Sequence, residues 1–124
     1  MEEIFVLRST EKNEDNPGFF FEELSKNQGI KSKISMFIAT IQPGEHVPPH
    51  YHPDGSEAMI YNLSGSVEVK YGQDLKKSVI VHTGDFIYIP GNVLHQVINL
   101  SATEPVKSII ACNFDVIQEI DYCL

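Results

Sequence analysis

Runs of β-branched and aromatic residues recur along the chain, roughly every eight to twelve residues, and clusters of Gly, Pro, Asn and Asp separate them. That spacing is the habit of a β-sandwich or barrel. Val67-Glu68-Val69-Lys70-Tyr71 alternates cleanly, which predicts a strand with one dry and one wet face. Strands are also predicted over 59–63, 79–81, 86–89, 93–100 and 106–114. Turns are predicted at Tyr71-Gly72-Gln73-Asp74 and Thr83-Gly84-Asp85. Residues 33–41 read as the return arm of a hairpin that turns at Asn27-Gln28-Gly29. Ile34, Met36, Ile38 and Thr40 share one face of this arm, and Ser35, Phe37, Ala39 and Ile41 share the other. Both faces carry apolar side chains, so cover on both sides is expected.

The amino-terminal portion is less regular. Residues 4–7 form a first apolar run, residues 9–18 a polar loop, and residues 19–24 either a strand or the start of a helix. The only other helical signal is the tail at 116–120. An all-β fold follows, and closing the sheet into a barrel would remove its exposed edges.

Composition narrows the function classes. The 124 residues, 42% apolar and 21% charged, suit one domain spanning 1–124. A formal charge of -8 argues against nucleic acid, whose phosphates require clustered Lys and Arg. No apolar run approaches the ~20 residues of a membrane-spanning helix. The acidic start Met1-Glu2-Glu3 does not resemble a secretory signal, so the protein is read as cytoplasmic. In that compartment Cys112 and Cys123 are expected as thiols, without a disulfide.

Candidate chemistry begins at His50-Tyr51-His52. Residues two apart on an extended strand project to the same side, so the two imidazoles can share one metal ion. The block Gly44-x5-His50-x-His52-x4-Glu57, followed by Gly65, and the block Gly84-x5-Pro90-Gly91-Asn92-x2-His95-x3-Asn99 surround this pair. Together, over about 44–65 and 84–99, they resemble the two signature motifs of the cupin superfamily, G-x5-HxH-x3–4-E-x6-G and G-x5-PxG-x2-H-x3-N. The texture is similar to that of small single-domain bacterial cupins.

The resemblance implies a single jelly-roll barrel in which His50, His52, Glu57 and His95 hold a divalent ion. Imidazoles with at most one carboxylate suit Fe, Mn, Ni, Co, Cu or Zn better than Ca or Mg. The resemblance also implies a homodimer paired through its sheets. The implied function is a metalloenzyme acting on a small organic molecule (oxygenase, isomerase, cyclase or decarboxylase). The alternative is a non-catalytic binding module with a structural or ligand-recruiting metal.

Two positions depart from the motif. Seven residues, not six, separate Glu57 from Gly65. Counting back from Gly65 puts Ala58 at the carboxylate position, whereas counting forward from His52 puts Glu57 there. A one-residue slip reverses the face, so Glu57 reaches the metal only if a bulge absorbs the extra residue. Asn92 takes the place of the motif's turn glycine, and a left-handed backbone is expected there. His46 is a candidate for a proton shuttle at the rim. His82 is expected at the surface, and Asn99 is expected to satisfy backbone groups at a strand end.

Overall fold

The apolar runs between Ser35 and Cys112 become strands in the computed structural model, which describes residues 4–6, 30, 32–113 and 120–121. In chain order these are β1 (Ser35–Ile41), β2 (His50–Tyr51), β3 (Glu57–Ser64), β4 (Val67–Tyr71) and β5 (Lys77–Val81). They continue with β6 (Phe86–Pro90), β7 (His95–Asn99), β8 (Val106–Cys112) and β9 (Ile120–Asp121). Residues 4–6 belong to no strand. The segment 19–24, the turn at 27–29 and Cys123 lie outside the described residues. So does the tail signal at 116–120, except for Ile120, which opens β9.

The strands form two antiparallel sheets, ordered β1-β8-β3-β6 and β5-β4-β7-β2-β9. Two sheets with these crossovers make a jelly-roll barrel. The core lies between them in two adjoining clusters. One is Ala58, Ile89 and Cys112, with Phe37, Ile60 and Ile87 packed against it. The other is Val67, Val69, Val81 and Val106, with Ile41, Ile87 and Val97 packed against it. Each fully buried valine contributes about 1.5–3 kcal/mol of transfer free energy. Gly65 sits at φ 86°, and a Cβ there would lie 2.7 Å from Val106 Cγ2. The motif glycine thus lets the β3–β4 turn close on the most deeply buried valine.

β1 departs from expectation on its outer face. Phe37, Ala39 and Ile41 turn toward the core, but Met36 and Ile38 are exposed at 56% and 46%. Cross-strand register places Met36, Ala111, Met59 and Tyr88 in one transverse row and Ile38, Ile109, Tyr61 and Phe86 in the next. The outer face of the four-stranded sheet therefore carries an apolar block across all four strands.

Candidate metal centre

The site is built by strand pairing. His50 opens β2 and stands directly opposite His95, the first residue of β7. His52 follows two residues later on the same side, as the two-residue period requires. All three are buried, and one nitrogen from each lies within 4.8 Å of the others. The ring centroids are 5.0 Å apart for His50–His52, 4.3 Å for His50–His95 and 5.1 Å for His52–His95.

A local device repeated on both strands orients two of the rings. Nδ1 of His50 donates to the Pro48 carbonyl at 2.9 Å, and Nδ1 of His95 donates to the Val93 carbonyl at 2.9 Å. In each case the acceptor is two residues upstream. The bond places the ring proton on Nδ1 and leaves the lone pair on Nε2, the arrangement that metal-binding histidines need. Burial pulls His52 down to about 4, with repulsion from His95 and then His50 adding to it. Burial also pulls His95 down to about 4, against the bond to Val93 and with repulsion from His50. Both rings are therefore neutral at pH 7, the form that binds metal. Three buried, convergent imidazoles, two of them held neutral by burial, fit a transition-metal ion.

A clasp between the two motifs fixes His52. The Asn92 backbone N–H donates to the His52 carbonyl at 2.9 Å, and the Gly91 N–H donates to the Ser56 carbonyl at 2.8 Å. Asn92 Nδ2 adds a bond to Asp54 Oδ1 at 2.7 Å. Asn92 has φ 65°, the left-handed backbone expected from its place in the motif. Gly91 matters for a different reason. A Cβ there would collide with the Pro53 carbonyl oxygen and lie 3.1 Å from the Ser56 nitrogen. Motif spacing did not single out Gly91 or the buried Ser56. The signal for Gly91 was its place beside Pro90, but the atoms it abuts come from the first motif.

Glu57 is not brought to the histidines. Its side chain is exposed on the outer face of β3, where Oε1 accepts a 2.8 Å hydrogen bond from the Tyr88 hydroxyl. That carboxylate pushes the Tyr88 phenol up. Ala58 is the residue that faces the cavity. The extra residue of the first motif is absorbed at the far end of β3, where the register with β8 shifts between Asn62 and Ser64. From Glu57 to Asn62 the alternation is regular, so nothing turns Glu57 inward.

The remaining candidates fall as follows. His46 is exposed, bridges Ile98 and is not part of the cavity wall. His82 is exposed and lies 3.4 Å from the Ser66 hydroxyl. Asn99 Nδ2 donates to the carbonyls of Ile41 and Glu104, and its Oδ1 accepts from the Ser101 N–H, so it ties three backbone segments together.

The three rings form part of the wall of a cavity of about 130 Å³ inside the barrel. A second depression shares His95, Val69, Ile87 and Ile89 with it and runs to Tyr71, Val79 and Tyr88 on the β4–β5–β6 side. The site is thus a jelly-roll barrel with a three-histidine cluster in its interior.

The chain belongs to the cupin domain family, whose model matches residues 37–112. No curated protein matches the sequence. Among solved structures, a conserved protein with a double-stranded beta-helix domain from Klebsiella pneumoniae is similar, with TM-score 0.61 and 16% identity. That match covers 73% of this chain and 76% of the other. The polyketide cyclase RemF from Streptomyces resistomycificus matches with TM-score 0.62 and 21% identity, over 73% of this chain and 61% of that one. An oxalate decarboxylase matches with TM-score 0.65 and 23% identity, over 78% of this chain but only 26% of its own. At these identities the likeness is one of fold. Among the described residues no helix is long and apolar enough to cross a membrane.

Proposed function

We propose that this cupin is a metalloenzyme that acts on a small organic molecule, with His50, His52 and His95 holding one divalent transition ion. The observation that carries this reading is the convergence of three buried imidazoles on a cavity large enough for a second ligand. When bound, the ion would supply a Lewis acid and, if redox-active, a site for oxygen chemistry. The chain's own part is to hold His52 and His95 neutral, to fix His50 and His95 through Pro48 and Val93, and to wall the ion from bulk water. Solved relatives of the same fold include a polyketide cyclase and an oxalate decarboxylase, so the barrel is compatible with cyclase and decarboxylase chemistry as well as oxygenase or isomerase chemistry.

The test is elemental analysis of protein purified without added metal, followed by aerobic and anaerobic substrate screens. His52→Ala and His95→Ala should each drop the metal content below about half an equivalent, because each removes a ligand, whereas His82→Ala should retain it. Full occupancy in both ligand variants would refute the reading.

The outer face of the four-stranded sheet supports a homodimer. Its two apolar rows include Phe86 at 71% and Tyr88 at 50% exposure, a contiguous block of the kind that marks an interaction surface. Glu57 borders the block at one end and Lys107 at the other. A two-fold axis in the plane of the sheet, across the strands, would set each against its opposite on the second copy.

A further inference from the structure

The walls of the cavity specify more than its size. Apart from the three histidines, Asn62 and Ser108, every described wall residue is Ala, Val or Ile. The described wall contains no Lys, Arg, Asp or Glu. Going inward along β3 from the histidine end, Ala58 is followed by Ile60 and then Asn62, while Ile110 and Ser108 stand opposite on β8.

The two polar groups at the far end are committed to each other. Asn62 is 1% exposed; its Nδ2 donates to the Gly65 carbonyl at 2.7 Å, and its Oδ1 accepts from the Ser108 hydroxyl at 3.1 Å. With its proton spent on Asn62, Ser108 offers the cavity only an acceptor. An anionic group buried against these walls would lose its hydration and meet no cationic side chain, with only the second Asn62 amide hydrogen as a donor at the far end, which is costly. The chain's net charge of -8 adds a long-range penalty for a dianion.

We infer that the cavity selects a compact ligand with a single oxygen-bearing head group for the metal and an uncharged, branched or cyclic apolar body, and that it rejects dianions of equal size. This deepens the proposed function and rests on it only for the head group. The cavity of about 130 Å³ by itself holds a body of about six non-hydrogen atoms, since an apolar cavity of ~150 Å³ accommodates benzene. The apolar walls contribute affinity through burial of that body, and the neutral lining contributes selectivity by offering a second charge no partner.

A matched pair of probes tests this. 4-Methylpentanoate and succinate share one carboxylate and a two-carbon spacer; they differ in carrying isopropyl or a second carboxylate at the other end. With the full-length protein loaded with Co(II), binding is read from the visible cobalt spectrum and by calorimetry. 4-Methylpentanoate should bind at least about tenfold more tightly than succinate, with a negative heat-capacity change from apolar burial. Ile110→Phe, which fills the cavity, should weaken 4-methylpentanoate by about tenfold while leaving acetate unchanged, because acetate needs only the head-group position. Equal or tighter binding of succinate by the cobalt protein would overturn the inference while the metal reading stood. If cobalt does not bind, the metal reading fails instead, and benzene titrated into the metal-free protein decides the cavity. Saturable binding supports apolar selection, and its absence overturns it.

Discussion

Gly91 offers the sharpest test of how the two motifs cooperate. Its backbone N–H is bonded to the Ser56 carbonyl at 2.8 Å, and the turn over 53–56 rests against its Cα where a side chain would otherwise be. In Gly91→Ala the added methyl would collide with the Pro53 carbonyl oxygen and press on its carbon at 3.2 Å and the Ser56 nitrogen at 3.1 Å. These atoms are backbone and cannot rotate away. To restore ordinary contact the turn must retreat by about 1 Å. Overpacking of this kind costs about 1–3 kcal/mol, which lowers Tm by several degrees in a domain of this size. Because Pro53 follows His52 directly, the retreat also displaces a proposed ligand. Disturbing a ligand's support weakens metal binding by about 10–100-fold. Thermal unfolding of the metal-free protein reads the first effect, and competition against a chromogenic chelator reads the second. Asn92→Gly is the control in the same turn. It trades the left-handed strain of Asn92 against its exposed bond to Asp54, so stability should change by less than about 0.5 kcal/mol and metal affinity by less than about threefold. If Gly91→Ala kept the wild-type Tm and metal affinity, close packing at Gly91 would not be what places His52.

Three further outcomes are expected. The metal-free protein should lose stability as pH falls from about 6.5 to about 4, because an unfolded histidine takes a proton near 6.5 whereas folded His52 and His95 do so only at about 4. The unfolded state therefore holds more protons across that window, and stability present above it is lost toward its lower end. Urea denaturation as a function of pH checks this, and an equally steep slope in a His52→Gln/His95→Gln double variant would exclude the two rings as its source. Glu57→Gln should change metal affinity by less than about threefold, since the carboxylate faces away from the cavity and bonds Tyr88; a tenfold loss on chelator competition would mean that β3 rearranges on binding metal. Met59→Lys, which puts a charge in the middle of the apolar outer face, should convert a dimer to a monomer in light scattering after size exclusion while leaving metal content intact; a dimer that persisted would place the interface elsewhere.

Much of this molecule is determined by local pattern. The two-residue period of an extended chain sets which side chains share a face, so the strands of the barrel and the common direction of His50 and His52 were legible from residue order. The left-handed backbone at Asn92 was legible too, because few residues tolerate a tight turn of that hand. His95 needed the second motif, whose spacing from Gly84 through Pro90 reflects a strand followed by a turn of fixed length.

What local pattern left open was every question answered by another part of the chain. The face of Glu57 depended on where one extra residue was absorbed, and pairing with β8 put the shift between Asn62 and Ser64 rather than beside Glu57. The role of Gly91 depended on the carbonyl of Pro53, remote in sequence and brought adjacent where β3 pairs with β6, with Glu57 opposite Pro90. The apolar residues on both faces of β1 pointed to cover on both sides, yet a sheet has two faces and the barrel interior could cover only one. Tertiary structure decided these points because each is a contact between segments whose separation in sequence carries no record of their distance in space.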